Sequence, residues 1–293
     1  MNTPASAAAA TGDARPLRTL RLAATQGGEG AAALSLAICG DGPALVVFLH
    51  GIGGNCSNWT RQLRHIGDLA TAVAWDARGY GDSEDYAGAL AMRDFRDDLD
   101  RVLDAFGAAR AHLVGLSMGG MIALDYCAHR PERVASLLLA DTVPGPARDL
   151  QPAAIEDFLR LRRAPLEAGQ TPADIAPAVA RSLVAPHADA TTLAQLEASI
   201  AALHRDSYLK TLETVTRHRG PAPEALAAIA SARPVLLVCG SEDRLTPPER
   251  MRKLAAEMPG ARFEIIDGAG HLSNIERPQR FDALLRDFLS PLI

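Results

Sequence analysis

Val114-Gly115-Leu116-Ser117-Met118-Gly119-Gly120 is the stretch that decides how this chain is read. The residues leading into it, Ala111 to Leu116, form an apolar run of strand length, and those leaving it, Met121 to Ala128, form an apolar helical run. A G-x-S-x-G between a strand and a helix is a nucleophile elbow, a sharp turn that lifts a serine hydroxyl clear of a sheet edge. The turn holds its serine on strained backbone and brings strand and helix close together. Residues 115 and 119 are therefore expected to lack a Cβ for steric reasons.

Outward from the elbow, short runs alternate with helical patterns. The runs are Leu45 to Leu49, Thr71 to Trp75, Ala111 to Leu116, Val134 to Ala140, Val235 to Val238 and Arg262 to Ile266. Most are continuously apolar, the pattern of strands covered on both faces. Phe95, Leu99, Val102, Leu103 and Phe106 mark one amphipathic helix, and Phe281, Leu284, Leu285, Phe288 and Leu289 mark another. Thr246-Pro247-Pro248-Glu249 reads as a helix start with threonine as its cap. Strands alternating with helices predict an α/β fold with a parallel, doubly wound sheet. Leu17 to Ala23 and Leu34 to Cys39 are expected to pair antiparallel at its edge.

Between Pro144-Gly145-Pro146 and Gly220-Pro221-Ala222-Pro223 the alternation stops and the pattern is helical and alanine-rich. Residues 144–222 are read as a helical lid inserted into a core made of 17–143 and 223–293. Ligands bind at the carboxyl ends of strands in such sheets, so an insertion there roofs the site. Residues 1–16 are small, polar and low in complexity, without the basic and bulky apolar regions of a signal peptide, and are read as a disordered tail.

A net charge of -5 with no basic run argues against a nucleic-acid partner. No stretch is long and apolar enough to cross a membrane. The cysteines at 39, 56, 127 and 239 show no C-x-x-C pairing, and the histidines no H-E-x-x-H, so no metal or other cofactor is expected. Cys39, Cys127 and Cys239 read as buried reduced thiols in a cytoplasmic protein, whereas Cys56, just beyond a glycine-rich loop, is a candidate reactive thiol.

A serine hydroxyl needs a base to take its proton, and the base needs a third group to fix its tautomer. Asp243 follows the strand Val235 to Val238 through Cys239-Gly240-Ser241-Glu242. His271 follows the strand ending Ile265-Ile266 through Asp267-Gly268-Ala269-Gly270. Both fall in loops at the same sheet edge as Ser117, in the chain order serine, acid, histidine. Asp141 also ends a strand and competes for the acid role, but the flexible approach through Gly240 favours Asp243. Glu242, next to Asp243, is expected to point elsewhere, and Asp267 to shape a turn.

His50-Gly51-Ile52-Gly53-Gly54 directly follows the strand Leu45 to Leu49. Negative charge develops on a carbonyl oxygen during acyl transfer, and backbone N–H groups aimed there stabilise it. The backbone N–H groups of Ile52 and Met118 are the candidate oxyanion donors, while His50 is read as a structural residue of the loop. Asp76 and Arg78, in Asp76-Ala77-Arg78-Gly79-Tyr80-Gly81-Asp82-Ser83, are expected to organise a turn without taking part in chemistry.

With H-G-x-G-G, D-x-R-G-x-G-x-S, G-x-S-M-G-G, G-x-x-D and G-H in this order, the chain resembles the α/β-hydrolase superfamily from about residue 17 to its end, the variable lid apart. The resemblance implies a mostly parallel eight-stranded sheet, with Ser117 as nucleophile, Asp243 as acid, His271 as base, and Ile52 and Met118 at the oxyanion. Gly115-Leu116-Ser117-Met118-Gly119-Gly120-Met121-Ile122 and Gly270-His271-Leu272-Ser273-Asn274-Ile275-Glu276 are similar to the 3-oxoadipate enol-lactonase group. Cleavage of a small ester or lactone through an acyl-enzyme is the expected activity. The alternatives are carbon–carbon hydrolysis of a meta-cleavage product, a cofactor-free perhydrolase, and a ligand receptor without turnover. The carbon–carbon hydrolases usually carry asparagine before the serine and tryptophan after the histidine, where this chain has Leu116 and Leu272. An anionic substrate would need a cation in the pocket, and Arg160, Arg162, Arg163, His204, Arg205 and Lys210 are the lid's candidates.

Overall fold

A computed structural model describes residues 15–24 and 32–293. The tail expected over residues 1–16 lies outside the described residues but for its last two. Two short strands, β1 (Arg18–Leu22) and β2 (Leu34–Cys39), open the chain, followed by β3 (Leu45–Leu49), α1 (Thr60–Ile66), β4 (Thr71–Trp75) and α2 (Met92–Ala105). Then come β5 (Ala111–Leu116), α3 (Met118–His129) and β6 (Val134–Ala140). Five helices follow: α4 (Pro152–Glu167), α5 (Pro172–Leu183), α6 (Ala190–Ala201), α7 (Arg205–Thr216) and α8 (Pro223–Ala232). The chain ends with β7 (Val235–Gly240), α9 (Pro248–Glu257), β8 (Arg262–Ile266), α10 (Ser273–Glu276) and α11 (Pro278–Leu289).

The strands form one eight-stranded sheet in the order β1-β2-β4-β3-β5-β6-β7-β8. β1 pairs antiparallel with β2, and β2 with β4, as expected at that edge. All other neighbours are parallel. The continuous apolar runs have their explanation here: every residue of β3, β5 and β7 is buried, with helices over both faces. Strand order reverses at β3, because the chain leaves it toward β4 and later returns to its other side as β5. The crevice beyond the carboxyl ends of β3 and β5 is thus the topological switch point, where the loop after β3 and the turn after β5 diverge.

Packing fixes the elements around this crevice. α2 buries Phe95, Leu99, Val102 and Leu103 on one side, as its spacing predicts. α3 is buried on all sides from Met118 to Cys127, which is the condition of a helix enclosed between a sheet and other helices rather than lying on a surface. α4 to α8 form the helical cap insertion between β6 and β7. Within it α5 packs on α6 and α4 on α7, while α8 returns to pack on α3 and α9. Side chains of α7 tie the cap to the segment after β4: Thr214 Oγ1 donates to the Leu90 carbonyl (3.0 Å) and Lys210 Nζ to the Tyr86 carbonyl (3.0 Å). No helix among the described residues is long and apolar enough to cross a membrane.

Candidate active site

Ser117 lies between β5 and α3 with φ 53° and ψ −116°. A non-glycine residue in that region costs about 1–3 kcal/mol and persists only where its surroundings hold it. They do so here: Ser117 N donates to the Ala140 carbonyl at 2.9 Å, and the Ser117 carbonyl accepts from Met121 N at 3.1 Å and Thr142 Oγ1 at 2.7 Å. The flanking glycines are sterically required. A Cβ on Gly119 would overlap the Leu49 carbonyl, and one on Gly115 the backbone of Gly119.

Ser117 Oγ is 2.9 Å from His271 Nε2, and His271 Nδ1 is 2.9 Å from Asp243 Oδ2. The three groups that the sequence placed at one sheet edge are joined by hydrogen bonds, and all three are buried. Asp243 also accepts from Leu245 N (2.8 Å), Thr246 N (2.9 Å) and Thr246 Oγ1 (2.6 Å). Thr246, read as a helix cap, does not cap α9, whose N-cap is Pro247; its hydroxyl serves the carboxylate instead. Burial opposes charge on His271, but the Asp243 carboxylate outweighs it and raises the imidazole pKa above 6.5. Burial likewise opposes charge on Asp243, and the histidine with these hydrogen bonds outweighs it, so the carboxyl pKa is lowered. An ionised Asp243 therefore accepts from His271 Nδ1–H, leaving Nε2 to receive the Ser117 proton.

Glu276 organises the histidine loop, a role not expected from its place in the sequence. Its Oε1 accepts from Gly270 N (3.0 Å) and Leu272 N (3.2 Å), and its Oε2 from Ala185 N (2.8 Å). His271 N donates to the Leu183 carbonyl at 2.8 Å. The loop is thereby fastened to the end of α5.

Asp141, the rival acid, is fully buried and sits beside the triad without joining its hydrogen-bond chain. Its Oδ1 accepts from Gly240 N (2.8 Å), and its Oδ2 lies 2.5 Å from Ser273 Oγ. Burial and the neighbouring Asp243 charge push its pKa up to about 8. Asp141, Cys239 and Asp243 bring potential ligand atoms within 4.8 Å of one another. Each already has protein partners, Cys239 Sγ reaching the Gly240 carbonyl, and burial raises the Cys239 thiol pKa. A protonated thiol beside a protonated carboxyl is a poor donor set for a cation.

The loop after β3 faces the triad. His50 is buried, with Nδ1 2.8 Å from the Gly51 carbonyl and Nε2 accepting from Ala77 N at 3.1 Å. Burial lowers its pKa, so it is a neutral ring bridging two loops, the structural part expected of it. Among the described residues neither Ile52 N nor Met118 N donates to a protein acceptor. Asp76 accepts from Cys56 N (2.7 Å) and Asp82 N (2.9 Å), and Arg78 grips Asp98 through two bonds of 2.7 and 2.8 Å. These are the turn-organising roles expected. Cys56 is no activated thiol, since burial and Asp76 raise its pKa.

Two adjoining pockets, a smaller and a larger lobe, border Ser117, with Ile52 and Leu245 in the lining of both. The smaller, of about 30 Å³, is bordered by His271, Leu272, Asn58 and Asn274. The larger, of about 250 Å³, runs along Met118, Met121, Phe158, Leu212 and Val215 to Arg250. None of the lid cations proposed for an anionic substrate lines either lobe. Arg163 pairs with Glu213, His204 with Asp85, and Arg205 with Asp206. Arg162 lies over the Phe158 ring, Lys210 is held at Tyr86, and Arg160 pairs with Asp157. The cation that does line the cavity, Arg250, comes from the core.

Residues 44–278 match the family model described as alpha/beta hydrolase fold, and the chain belongs to that family. A dihydrolipoyllysine-residue acetyltransferase component of the acetoin cleaving system from Cupriavidus necator is 28% identical over 85% of this chain. The match spans only 64% of that protein's length. A 2-hydroxy-6-oxononadienedioate/2-hydroxy-6-oxononatrienedioate hydrolase from Paraburkholderia phymatum is also 28% identical, over 85% of this chain and 88% of that one. Among solved structures, the enol-lactonase from Burkholderia xenovorans LB400 superposes with a TM-score of 0.76 at 26% identity, covering 88% of this chain and 97% of that one. Fold, family and the Ser117–His271–Asp243 arrangement together define a serine hydrolase.

Proposed function

We propose that this protein hydrolyses a small ester or lactone through an acyl-enzyme on Ser117. The observation that carries the reading is the continuous chain of hydrogen bonds from Ser117 through His271 to Asp243, set beside a largely apolar lobe to which the cap contributes Phe158, Leu212 and Val215. His271 Nε2 takes the Ser117 proton as Oγ bonds to the substrate carbonyl carbon. The oxyanion accepts from Ile52 N and Met118 N, each worth about 3 kcal/mol in such sites. Collapse breaks the bond to the leaving oxygen, which takes the proton from His271. Water activated by the same histidine then releases the acid. The small lobe suits the leaving oxygen and the water: Asn58 Nδ2 and Asn274 Oδ1 are buried there without partners among the described residues.

A second reading, carbon–carbon hydrolysis of a meta-cleavage product with the same triad, has its own support. The relative from Paraburkholderia phymatum named above is a hydrolase of oxo-dienedioates, and on kinship this reading outweighs the first. Against it stand Leu116 and Leu272, both bordering the small lobe, where apolar side chains give no hydrogen bond to a dienolate. Turnover of 3-oxoadipate enol-lactone, simple methyl esters and a 2-hydroxy-6-oxo-dienoate by the wild type and Ser117→Ala separates the two. Ester or lactone turnover lost in Ser117→Ala by about 10⁴-fold or more is expected. Preferred turnover of the dienoate would replace the first reading with the second. Undiminished turnover by Ser117→Ala would remove both.

A further inference from the structure

We propose that Arg250 is the anion-binding residue of the acyl pocket and that the acyl half of the substrate ends in a carboxylate. This deepens the acyl-enzyme reading above and rests on it.

Which half of the substrate lies in which lobe follows from the position of the acid–base. His271 must hand its proton to the leaving group, and it borders the small lobe but not the large one. The leaving group therefore lies on the small-lobe side and the acyl chain in the large lobe, along Met118 and Met121 of α3. Apolar side chains line most of that lobe, and Arg250, in the first turn of α9, is the cation on its wall.

The guanidinium of Arg250 is incompletely used by the protein. Its Nη2 is buried without a hydrogen-bond partner. The carboxylate paired with it, Asp149 Oδ2, stands 4.0 Å away, and Asp149 is already engaged by Lys253 Nζ at 2.6 Å. Arg148 is paired with Glu257 at 2.9 Å. This rim thus sets three cations, Arg148, Arg250 and Lys253, against two carboxylates, leaving one positive charge in excess. A buried donor on a charged group is costly without an acceptor. A monoanionic carboxylate arriving at the end of an acyl chain meets the guanidinium on the part that lines the lobe, in a charge-assisted bond. The lid arginines named above do not line the lobe, and Arg163 and Arg205 are already paired with carboxylates.

The test compares monomethyl esters of straight-chain dicarboxylic acids, from succinate to suberate, with methyl alkanoates of matched length, acid release being followed by pH-stat. The wild type is expected to favour the hemi-esters at one chain length by at least about tenfold in kcat/KM. Arg250→Gln should collapse that ratio toward one, chiefly through KM, and Arg250→Lys should restore part of it. Because the ratio is taken within one preparation, loss of folded protein cancels from it. No preference in the wild type, or a preference kept in Arg250→Gln, overturns the proposal. If Ser117 turns over neither ester, the hydrolase reading fails separately. The anion site is then decided by calorimetric binding of the same hemi-esters to Ser117→Ala with and without Arg250→Gln. At least about tenfold weaker binding in the double variant supports the site, and equal affinity overturns it.

Discussion

On the floor of the cavity, where β3, β5, β6 and β7 end, polar groups stand close together and nearly every one is engaged: Ser117 with His271, His271 with Asp243, Asp243 with Leu245 and Thr246. Over the roof, α4 and α7 meet through Ile155, Leu159 and Leu212, an apolar cluster of their own, and the candidate cations of the cap line neither lobe. The difference teaches a division of labour. Directional bonds on rigid strand ends fix distances to a fraction of an ångström, which bond-making requires. An apolar roof sets only volume and shape, which selects among substrates.

Breaking the floor should therefore cost rate whatever the substrate. Asp243→Asn is expected to lower kcat by about 10⁴-fold on every ester tested, because an amide no longer fixes the His271 tautomer. It should also change the pH profile. In the wild type the Asp243 carboxylate raises the His271 pKa above 6.5. The base is active only when neutral, so kcat/KM should fall about tenfold per pH unit below that pKa and level off above it. Removing the carboxylate charge should move the acid limb to lower pH. A limb that stays in place in Asp243→Asn would mean that some other group sets it.

Breaking the roof should change preference more than rate. Leu212 is buried, lines the large lobe and packs on Ile155 and Leu159. Leu212→Ala should enlarge the lobe at a cost of about 2–4 kcal/mol in stability. Longer acyl chains should gain about tenfold in kcat/KM relative to short ones, the scale at which hydrophobic pockets discriminate methylenes. Uniform loss across chain lengths would show that the roof shapes the floor as well.

The same division explains what the sequence disclosed. The elbow is legible because its causes are local: two glycines that must lack a Cβ, an apolar strand before and a buried helix after. Asp243 and His271 are legible because strand ends can be located from apolar runs, which places their loops at one edge. Thr246 and Glu276 are not: Thr246, only three residues from Asp243, reads equally as a helix cap, and Glu276 takes a partner 91 residues away in Ala185 N. Arg250 looks like a surface residue among Glu249, Arg252 and Lys253. Which face of α9 meets the cavity depends on how the helix packs on β7, and no local pattern states it. The lid carries the conspicuous charges of the sequence, yet those charges are used between the lid's own elements and the segment after β4.

The smallest effect on rate is expected from Asp141→Asn, and it asks whether the floor's polarity is all chemistry. Asp141 keeps its proton to about pH 8 when folded, against an ordinary carboxyl value of 3.8. Below pH 4 the folded and unfolded chains are both protonated there, and the residue adds no pH dependence to stability. Between about pH 4 and 8 the unfolded chain loses a proton that the folded chain retains, so stability falls as pH rises through this window. Asparagine has the shape of the protonated acid: its oxygen can accept from Gly240 N and its amide can donate to Ser273 Oγ, at the loss only of the long 3.3 Å bond that Oδ2 accepts from Ser273 N. It carries no such penalty. Asp141→Asn should therefore raise Tm little at pH 4 and progressively more toward pH 8, by on the order of 2 kcal/mol of added stability near neutrality. Turnover should stay within about tenfold of the wild type, as for a group outside the reacting chain. Loss of rate as large as in Asp243→Asn, with no gain in Tm, would place Asp141 in the chemistry and make the two strand-end carboxyls one functional pair.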